Sequence, residues 1–154
     1  MKSLENDSTT VIVTNAQLSW VDYSASMTMP RTSNLINDKI KVISARQDGQ
    51  DAEQPSKWKI KTFVELFEVL KLDKDLVTNL VVVGDSMNEM NAGQKLAKNL
   101  PHCILKMIKM TERPQARELV KQLSVISGSW AKISQTARNF NMQLERKSHN
   151  DSVE

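Results

Sequence analysis

The apolar run NLVVVG at residues 79–84 constrains the fold of this chain more than any other stretch. Val81, Val82 and Val83 are consecutive β-branched residues, so both faces of a strand here would have to be buried. A strand buried on both faces is typical of a parallel sheet that is covered by helices on its two sides. The run ends at Gly84 and Asp85, and a helix is expected to follow over residues 87–99.

Other apolar runs alternate with helical patterns along the first 112 residues. Strands are expected at residues 10–14, 39–45 and 102–110, and helices at residues 15–27, 31–38 and 57–72. The polar segment 46–56 is predicted to be a loop. An alternation of strands and helices indicates an α/β domain with a mainly parallel sheet.

The last third of the chain has apolar residues spaced alternately four and three apart from Leu119 to Leu144. This spacing predicts one or more helices over residues 113–146, opened by Pro114. In one interpretation the tract is a long helix, or two helices broken near Gly128, that packs back on the sheet. In the other, residues 119–144 form a coiled-coil seam for self-association, although a glycine inside a helix costs about 1 kcal/mol relative to alanine.

Composition excludes several classes of protein. The net charge of +3 comes from mixed charges without a basic stripe, so no nucleic-acid partner is indicated. No apolar run approaches the roughly 18 residues of a membrane span. The single cysteine, Cys103, and a polar N-terminus favour a cytoplasmic protein. Residues 1–9 and 147–154 are polar and are expected to be a disordered lead and tail.

Acidic residues follow the strand at residues 79–84. Asp85 is expected at the carboxyl end of that strand, where open α/β sheets bind ligands, and Glu89 lies one helical turn later. Two carboxylates at this spacing suit Mg²⁺, which prefers oxygen ligands and often shares phosphate substrates. The alternative is structural: Asp85 or Ser86 caps the following helix and Glu89 complements its dipole.

Two other positions could complete a phosphate site. Thr14 and Asn15 end the first strand, where a hydroxyl and a backbone N–H can bind a phosphate oxygen. Lys57, Lys59 and Lys61 open the helix before the third strand, and one of them could neutralise phosphate charge. The alternatives are that Thr14 is a helix cap and that the lysines are solvated surface residues.

Together these segments resemble the haloacid dehalogenase (HAD) superfamily of phosphohydrolases over residues 10–112. The family's last motif, GDxxND, is matched by "GDSMNE", in which Glu89 replaces the commoner Asp. Its second motif, an apolar strand ending in Thr or Ser, is matched at Thr14. Its motif lysine is best matched by Lys59, with Lys57 and Lys61 as alternatives. The segments "SAR" at 44–46 and "WK-K-TF" at 58–63 resemble a branch from single-celled eukaryotes.

The resemblance implies a Rossmann-like three-layer sandwich and Mg²⁺-dependent hydrolysis of a phosphomonoester, either a small molecule or a protein. Thr14 and Lys59 would be the catalytic residues, and Thr14, Asn15 and Lys59 would bind phosphate. Asp85 and Glu89 would hold the metal, and the supporting residues would be Gly84, Ser86 and Asn88.

The chain departs from the family at the first motif, DxDxT, whose first Asp is the nucleophile. No such motif is present, so we do not expect turnover by this chain alone. In the family that motif's strand lies between the second- and fourth-motif strands. Here the two neighbours would pair directly, or another segment or chain would fill the gap, or the chain would fold poorly. The chain is then a fragment, a pseudoenzyme or half of a two-piece enzyme. The competing class is a non-catalytic interaction protein that uses its C-terminal helices.

Overall fold

A computed structural model of the protein describes residues 8–46 and 55–146. The lead expected at residues 1–9 and the loop expected at 46–56 lie mostly outside these residues, and the expected tail at 147–154 lies wholly outside them. The described residues contain five β-strands, six α-helices and one 3-10 turn. None of the described helices is long and apolar enough to cross a membrane.

The elements follow one another in an order close to the prediction. They are β1 (Val11–Thr14), α1 (Leu18–Thr28), α2 (Pro30–Lys39), β2 (Lys41–Ser44), α3 (Pro55–Leu70), the 3-10 turn (Lys74–Leu76), β3 (Asn79–Gly84), α4 (Met87–Ala97), β4 (Ile104–Lys109), α5 (Ala116–Gly128), α6 (Trp130–Gln135) and β5 (Phe140–Gln143).

All strand pairs within the described residues are parallel, which confirms the prediction of a mixed α/β protein with parallel strands. The strands form two sheets, β1-β2 and β3-β4-β5. Thr14 aligns with Ser44 in the first sheet, and Gly84 aligns with Lys109 in the second. β1 does not pair with β3, so direct pairing of the two strands, one of the expected outcomes, is not what the structure shows.

The prediction of helix up to residue 146 is wrong for its last part. Helix α5 ends at Gly128, α6 ends at Gln135, and residues Phe140–Gln143 form the strand β5 beside β4. The segment FNMQL alternates partly buried and exposed residues, which is the period of a half-buried strand, and the N–H of Leu144 donates to the carbonyl of Lys109 at 2.8 Å. Pairing with the open edge of β4 therefore overrides the helical spacing.

Helix α3 connects the two sheets. It packs against β1, and it also packs against α4, which covers β3 and β4. At its end, the carbonyl of Val69 accepts a hydrogen bond from Nζ of Lys41, at the start of β2, at 3.3 Å. Near its beginning, Lys59 contacts Glu89, just after the end of β3. Helix α3 is therefore antiparallel to strands of both sheets, and the carboxyl ends of all strands lie at the same edge.

The core is concentrated in the second sheet and its helices. Phe67, Leu96 and Leu100 form one cluster, Val82, Met90 and Met107 a second, and Ile108, Ile126 and Ile133 a third. Among the described residues around the first sheet, the buried apolar ones are two alanines, Ala25 and Ala45. Trp130, Phe140 and Leu144 pack on the third cluster, so much of the predicted C-terminal seam lies against the sheet.

Candidate functional site

The turn from β3 into α4 is built around a helix N-terminus. Ser86 is the N-cap of α4, and its Oγ accepts a hydrogen bond from the N–H of Asn88 at 3.2 Å. The Glu89 carboxylate returns to the cap and accepts from the N–H of Ser86 at 2.9 Å. This reciprocal capping box satisfies N–H groups that a helix otherwise leaves without partners. The structural role predicted for Ser86 is thus confirmed.

Glu89 is almost fully buried beside Gly84, with 7% of its surface exposed. A Cβ at position 84 would lie 2.6 Å from both Cβ and Cγ of Glu89, closer than carbon atoms approach in proteins. Gly84 therefore leaves the space that the Glu89 side chain occupies. The supporting role of Gly84 in a phosphate site stays a prediction.

Lys59 is the lysine that reaches the acidic turn. Its Nζ donates a hydrogen bond to Oε1 of Glu89 and forms an ion pair with it. Both groups are largely shielded, with side-chain exposures of 17% for Lys59 and 9% for Glu89. Lys57 and Lys61 are exposed on the same helix. Of the three lysines considered from the sequence, the structure places Lys59 beside the predicted metal residue.

The pKa of Glu89 results from opposing effects. Burial raises the pKa, while the hydrogen bonds from Lys59 and Ser86 and the positive charge of Lys59 lower it, and the net pKa lies below the ordinary value of 4.5. Glu89 is therefore ionised at neutral pH, and its negative charge is compensated inside the protein.

Thr14 and Asn15 lie at the same edge but form a separate group. Oγ1 of Thr14 accepts a hydrogen bond from the N–H of Ala16 at 3.1 Å, which fixes the turn after β1. Oδ1 of Asn15 is buried and has no hydrogen-bond partner among the described residues. The described contacts that tie Lys59 and Ser86 to Glu89 do not extend to Thr14 or Asn15. The structure therefore brings together Lys59, Ser86 and Glu89, and leaves Thr14 and Asn15 in their own turn.

Asp85 differs from Glu89 as a metal ligand. Its carboxylate is exposed and forms no hydrogen bond with a described residue, whereas both oxygens of Glu89 are engaged. Mg²⁺ is often held by one or two carboxylates together with water and phosphate oxygens. The exposed carboxylate of Asp85 fits that role. Glu89 fits it only if Oε1 gives up its hydrogen bond to Lys59 and binds the metal ion in its place. In residues 8–46 and 55–146 no group of three or more His, Cys, Asp and Glu could hold a metal ion.

A second lysine at this edge was not anticipated from the sequence. Nζ of Lys109, the last residue of β4, lies 3.3 Å from the carbonyl oxygen of Asp85 and 3.2 Å from Oε1 of Glu112. Lys109 ends an apolar strand, and the pairing of that strand with β3, which the structure shows, brings Lys109 to this edge. Lys109 adds positive charge next to Asp85.

Lys106, in the middle of β4, is a buried lysine that the sequence analysis did not single out. It is fully buried, and its Nζ donates to the carbonyl of Ser134 at 2.7 Å. Burial lowers the pKa of Lys106 and raises that of the nearby Cys103 thiol. Burial therefore disfavours the thiolate of Cys103, which is the reactive form of a cysteine side chain.

No protein-family model, no curated protein and no solved structure matches the chain in the three comparisons with known proteins.

Proposed function

We propose that the chain is a HAD-like phosphohydrolase domain: a Rossmann-like three-layer α/β fold, without its first strand, that binds phosphate at the carboxyl edge of its strands. The ancestral reaction is Mg²⁺-dependent hydrolysis of a phosphomonoester on a small molecule or a protein. The acidic nucleophile of such enzymes is missing from the chain, so by itself it binds phosphate and does not turn it over.

The observation that supports the proposal most is the contact between Lys59 and Glu89. These residues are 30 positions apart and were selected for separate motifs, the lysine motif and the last acidic motif. Their contact is the proximity that the proposed site requires. The main competing explanation is that the pair only stabilises the start of α4, and the experiment below distinguishes the two.

Each residue has a chemical role in the proposal. The hydroxyl of Thr14 and the N–H of Asn15 would hold phosphate oxygens at the end of β1. Lys59 would neutralise the phosphate charge, which requires it to exchange Glu89 for the anion. Asp85 would hold Mg²⁺, which on binding supplies Lewis-acid polarisation of a phosphoryl oxygen. Ser86 would hold Glu89 in place through the capping box, Gly84 would leave the space for its side chain, and Asn88 would support the cap through its N–H, which donates to Oγ of Ser86.

The test is binding of inorganic phosphate in the presence and absence of Mg²⁺, followed by NMR of the backbone amides. We expect the amide signals of Asn15 and Ala16 to shift with added phosphate until binding saturates, and Mg²⁺ to change these shifts. In Asp85→Asn the shifts should no longer respond to Mg²⁺. Lys59→Met should abolish phosphate binding while retaining the folded spectrum. Lys57→Met is the matched control, because Lys57 is exposed on the same helix. Equal phosphate binding by the two lysine variants would overturn the proposal.

A second candidate function, association through the C-terminal helices, is favoured by the exposed face of α5. Val120, Leu123 and Val125 expose 63%, 48% and 53% of their surfaces. In this candidate the chain is a non-catalytic interaction protein. Sedimentation of the chain and of Leu123→Lys over a range of concentrations tests it: a dimer lost in the variant supports association, and a monomer at all concentrations excludes self-association through α5.

A further inference from the structure

Three large apolar side chains of α1 are exposed along one side of the helix. Trp20, Tyr23 and Met27 expose 60%, 59% and 68% of their surfaces. Their spacing of three and then four residues places them one after another along the same helix face. We call these three side chains the α1 stripe. Trp, Tyr and Met are enriched where proteins contact partners, and grouped apolar side chains on a surface are typical of contact sites.

The other side of α1 holds the stripe in place. Ala25 is buried and Val21 is partly buried, and the helix packs against α2 and β2. Within the stripe, the rings of Trp20 and Tyr23 contact each other, with centroids 5.9 Å apart and planes tilted by 38°. Tilted aromatic pairs at this distance attract each other. The stripe is therefore ordered before a partner binds, which lowers the entropy cost of association.

The polar residues beside the stripe are compatible with burial. The hydroxyls of Ser24, Ser26 and Thr28 donate to backbone carbonyls three or four residues earlier, at 3.2, 2.8 and 2.6 Å. Hydroxyls bonded in this way keep their partners when water is removed. The single charged residue of α1, Asp22, lies about 200° around the helix from Trp20. A partner can therefore cover the stripe without burying a charge of α1.

The charge of α1 discriminates between classes of partner. A helix that lies on a lipid surface is rich in Lys and Arg on its polar face, and α1 has neither. A strongly charged protein surface would find no opposite charge beside the stripe, and it would lose its own hydration there. A second α1 is apolar and uncharged along the same line, so it matches the stripe in chemistry.

The stripe is also complementary to itself when two helices run antiparallel. In a pair centred between positions 23 and 24, Trp20 of one copy lies opposite Met27 of the other, and Tyr23 lies opposite Ser24. A thioether against an aromatic ring is a favourable contact, and the small serine leaves room for the tyrosine ring. The antiparallel direction places opposite ends of the two helix dipoles side by side.

The exposed area is sufficient for a reversible dimer. The side chains of the stripe expose roughly 140 Å² each, on the scale of 150–250 Å² for a whole aromatic side chain. Leu18 and Met29, at the two ends of α1, are exposed to 46% and 51%. With them each copy offers roughly 600 Å², so a pair buries about 1,200 Å², which is the lower limit of stable interfaces.

We propose that α1 is the contact surface of a homodimer, in which the α1 stripes of two copies pack antiparallel across a twofold axis. The inference involves neither phosphate binding nor the exposed face of α5, so it stands or fails separately from both proposed functions. Because the area is at the lower limit, the dimer dissociates in the micromolar range of concentration.

The first test is sedimentation of the full chain over a range of micromolar concentrations. We expect a monomer–dimer equilibrium whose Kd rises at least about tenfold in Trp20→Lys, because aromatic residues at the centre of an interface contribute most of its affinity. The matched control is Leu76→Lys. Leu76 is 77% exposed on the 3-10 turn, so this change also replaces an exposed apolar side chain but should leave the Kd unchanged. Amide NMR spectra establish that both variants are folded.

A charge exchange tests the antiparallel direction. Trp20→Lys and Met27→Glu should each be monomeric alone, because each places charges against apolar side chains of the second copy. An equal mixture of the two variants should form a heterodimer, since the antiparallel pair brings position 20 of one copy opposite position 27 of the other. A parallel pair would bring identical positions together, and the mixture would gain no opposite-charge contact.

Four results would overturn the proposal. A chain that stays monomeric at all concentrations has no such dimer. A dimer that Leu123→Lys abolishes and Trp20→Lys leaves intact would place the contact on α5. A mixture of the charge variants that remains monomeric would exclude the antiparallel pair. A monomeric chain that sediments with phosphatidylcholine and phosphatidylserine vesicles, and loses this binding in Trp20→Lys, would show that lipid covers the stripe.

Discussion

At the scale of single residues, Glu89 is the side chain on which the most contacts of the acidic turn converge. It closes the capping box with Ser86 and pairs with Lys59 while nearly buried. Its pKa is set by burial, which raises it, and by the stronger combined effect of Lys59 and Ser86, which lowers it below 4.5. A carboxylate with a lowered pKa stabilises the folded state fully above its unfolded pKa, and this contribution is lost as the pH falls through the folded value.

We therefore expect the free energy of unfolding to decrease as the pH falls below 4.5, partly because of Glu89. Glu89→Gln should cost about 2 kcal/mol at pH 7, since hydrogen bonds to charged groups contribute roughly 1.5–3 kcal/mol. It should also make the acid decrease shallower. Urea unfolding from pH 7 to pH 3 measures both effects. Glu68→Gln, at an exposed position of α3, is the control. If the free energy of unfolding of Glu89→Gln fell with pH as steeply as that of the original chain, the expectation would be contradicted.

Lys106 lowers the stability of the folded state, whereas Glu89 raises it, because the charge of Lys106 is buried without a carboxylate partner among the described residues. The carbonyl of Ser134 also accepts from Nδ2 of Asn79 at 2.8 Å, so it keeps a partner when Lys106 is replaced. Lys106→Met should raise the free energy of unfolding at pH 7 by about 1–2 kcal/mol. Because burial lowers the pKa of Lys106, the stability of the original chain should rise as the pH approaches 10.5, and the variant should lose this rise. Urea unfolding at pH 7 and pH 10 tests this, with Lys95→Met, at an exposed position of α4, as control.

At the scale of elements, α4 lies unusually close to β3 at Gly93. A Cβ there would lie 2.7 Å from Cγ2 of Val82, whereas a Cβ at Gly128 in α5 would have no atom within 4 Å. Alanine is favoured over glycine in helices by about 1 kcal/mol. Gly128→Ala should therefore stabilise the chain by up to about 1 kcal/mol, and Gly93→Ala should destabilise it by about 1–3 kcal/mol through overpacking. Thermal unfolding of the two variants compares them directly, and stabilisation by Gly93→Ala would show that α4 can move away from β3.

The elements also show which parts of the fold the sequence predicts. The run NLVVVG predicted β3, and the helical pattern of residues 57–72 predicted α3, each to within about two residues. A strand buried on both faces and a helix buried on one face each leave a recognisable spacing of apolar residues. The segment FNMQL fitted both a helical and a strand period, and its pairing with β4 decided the outcome. The local spacing of apolar residues does not indicate that a segment pairs with a strand about 30 residues earlier in the chain.

The same limit applies to the site. Lys59 and Glu89 were each selected from their own motif, and their contact depends on the packing of α3 on α4. Lys109 and Lys106 were missed because a lysine within an apolar run has no periodic signal of its own. Only the register of β4 beside β3 places Lys109 next to Asp85.

At the scale of the whole molecule, the two sheets should differ in local stability. In the part of the chain that the structure describes, the three clusters of buried apolar side chains involve β3, β4 and their helices, while two alanines are the buried apolar residues near β1 and β2. We expect the amides bonded between β1 and β2 to exchange through openings that cost at least about 2 kcal/mol less than those between β3 and β4. Native-state hydrogen exchange at low urea measures this difference. Equal opening free energies would mean that the whole chain unfolds as one unit.

The connection of the two sheets through α3 has a mechanical consequence. Force applied between residues 8 and 146 enters through β1 and leaves through β5, and between the two sheets it is carried by side-chain contacts such as Lys59 with Glu89 and Phe63 with Val82, because no ladder joins β1 to β3 in the described residues. Side-chain contacts of this kind separate one after another, whereas the bonds of a sheared ladder must break together. We therefore expect a molecule under tension to part between β1 and β3 at a lower force than the force that shears either ladder.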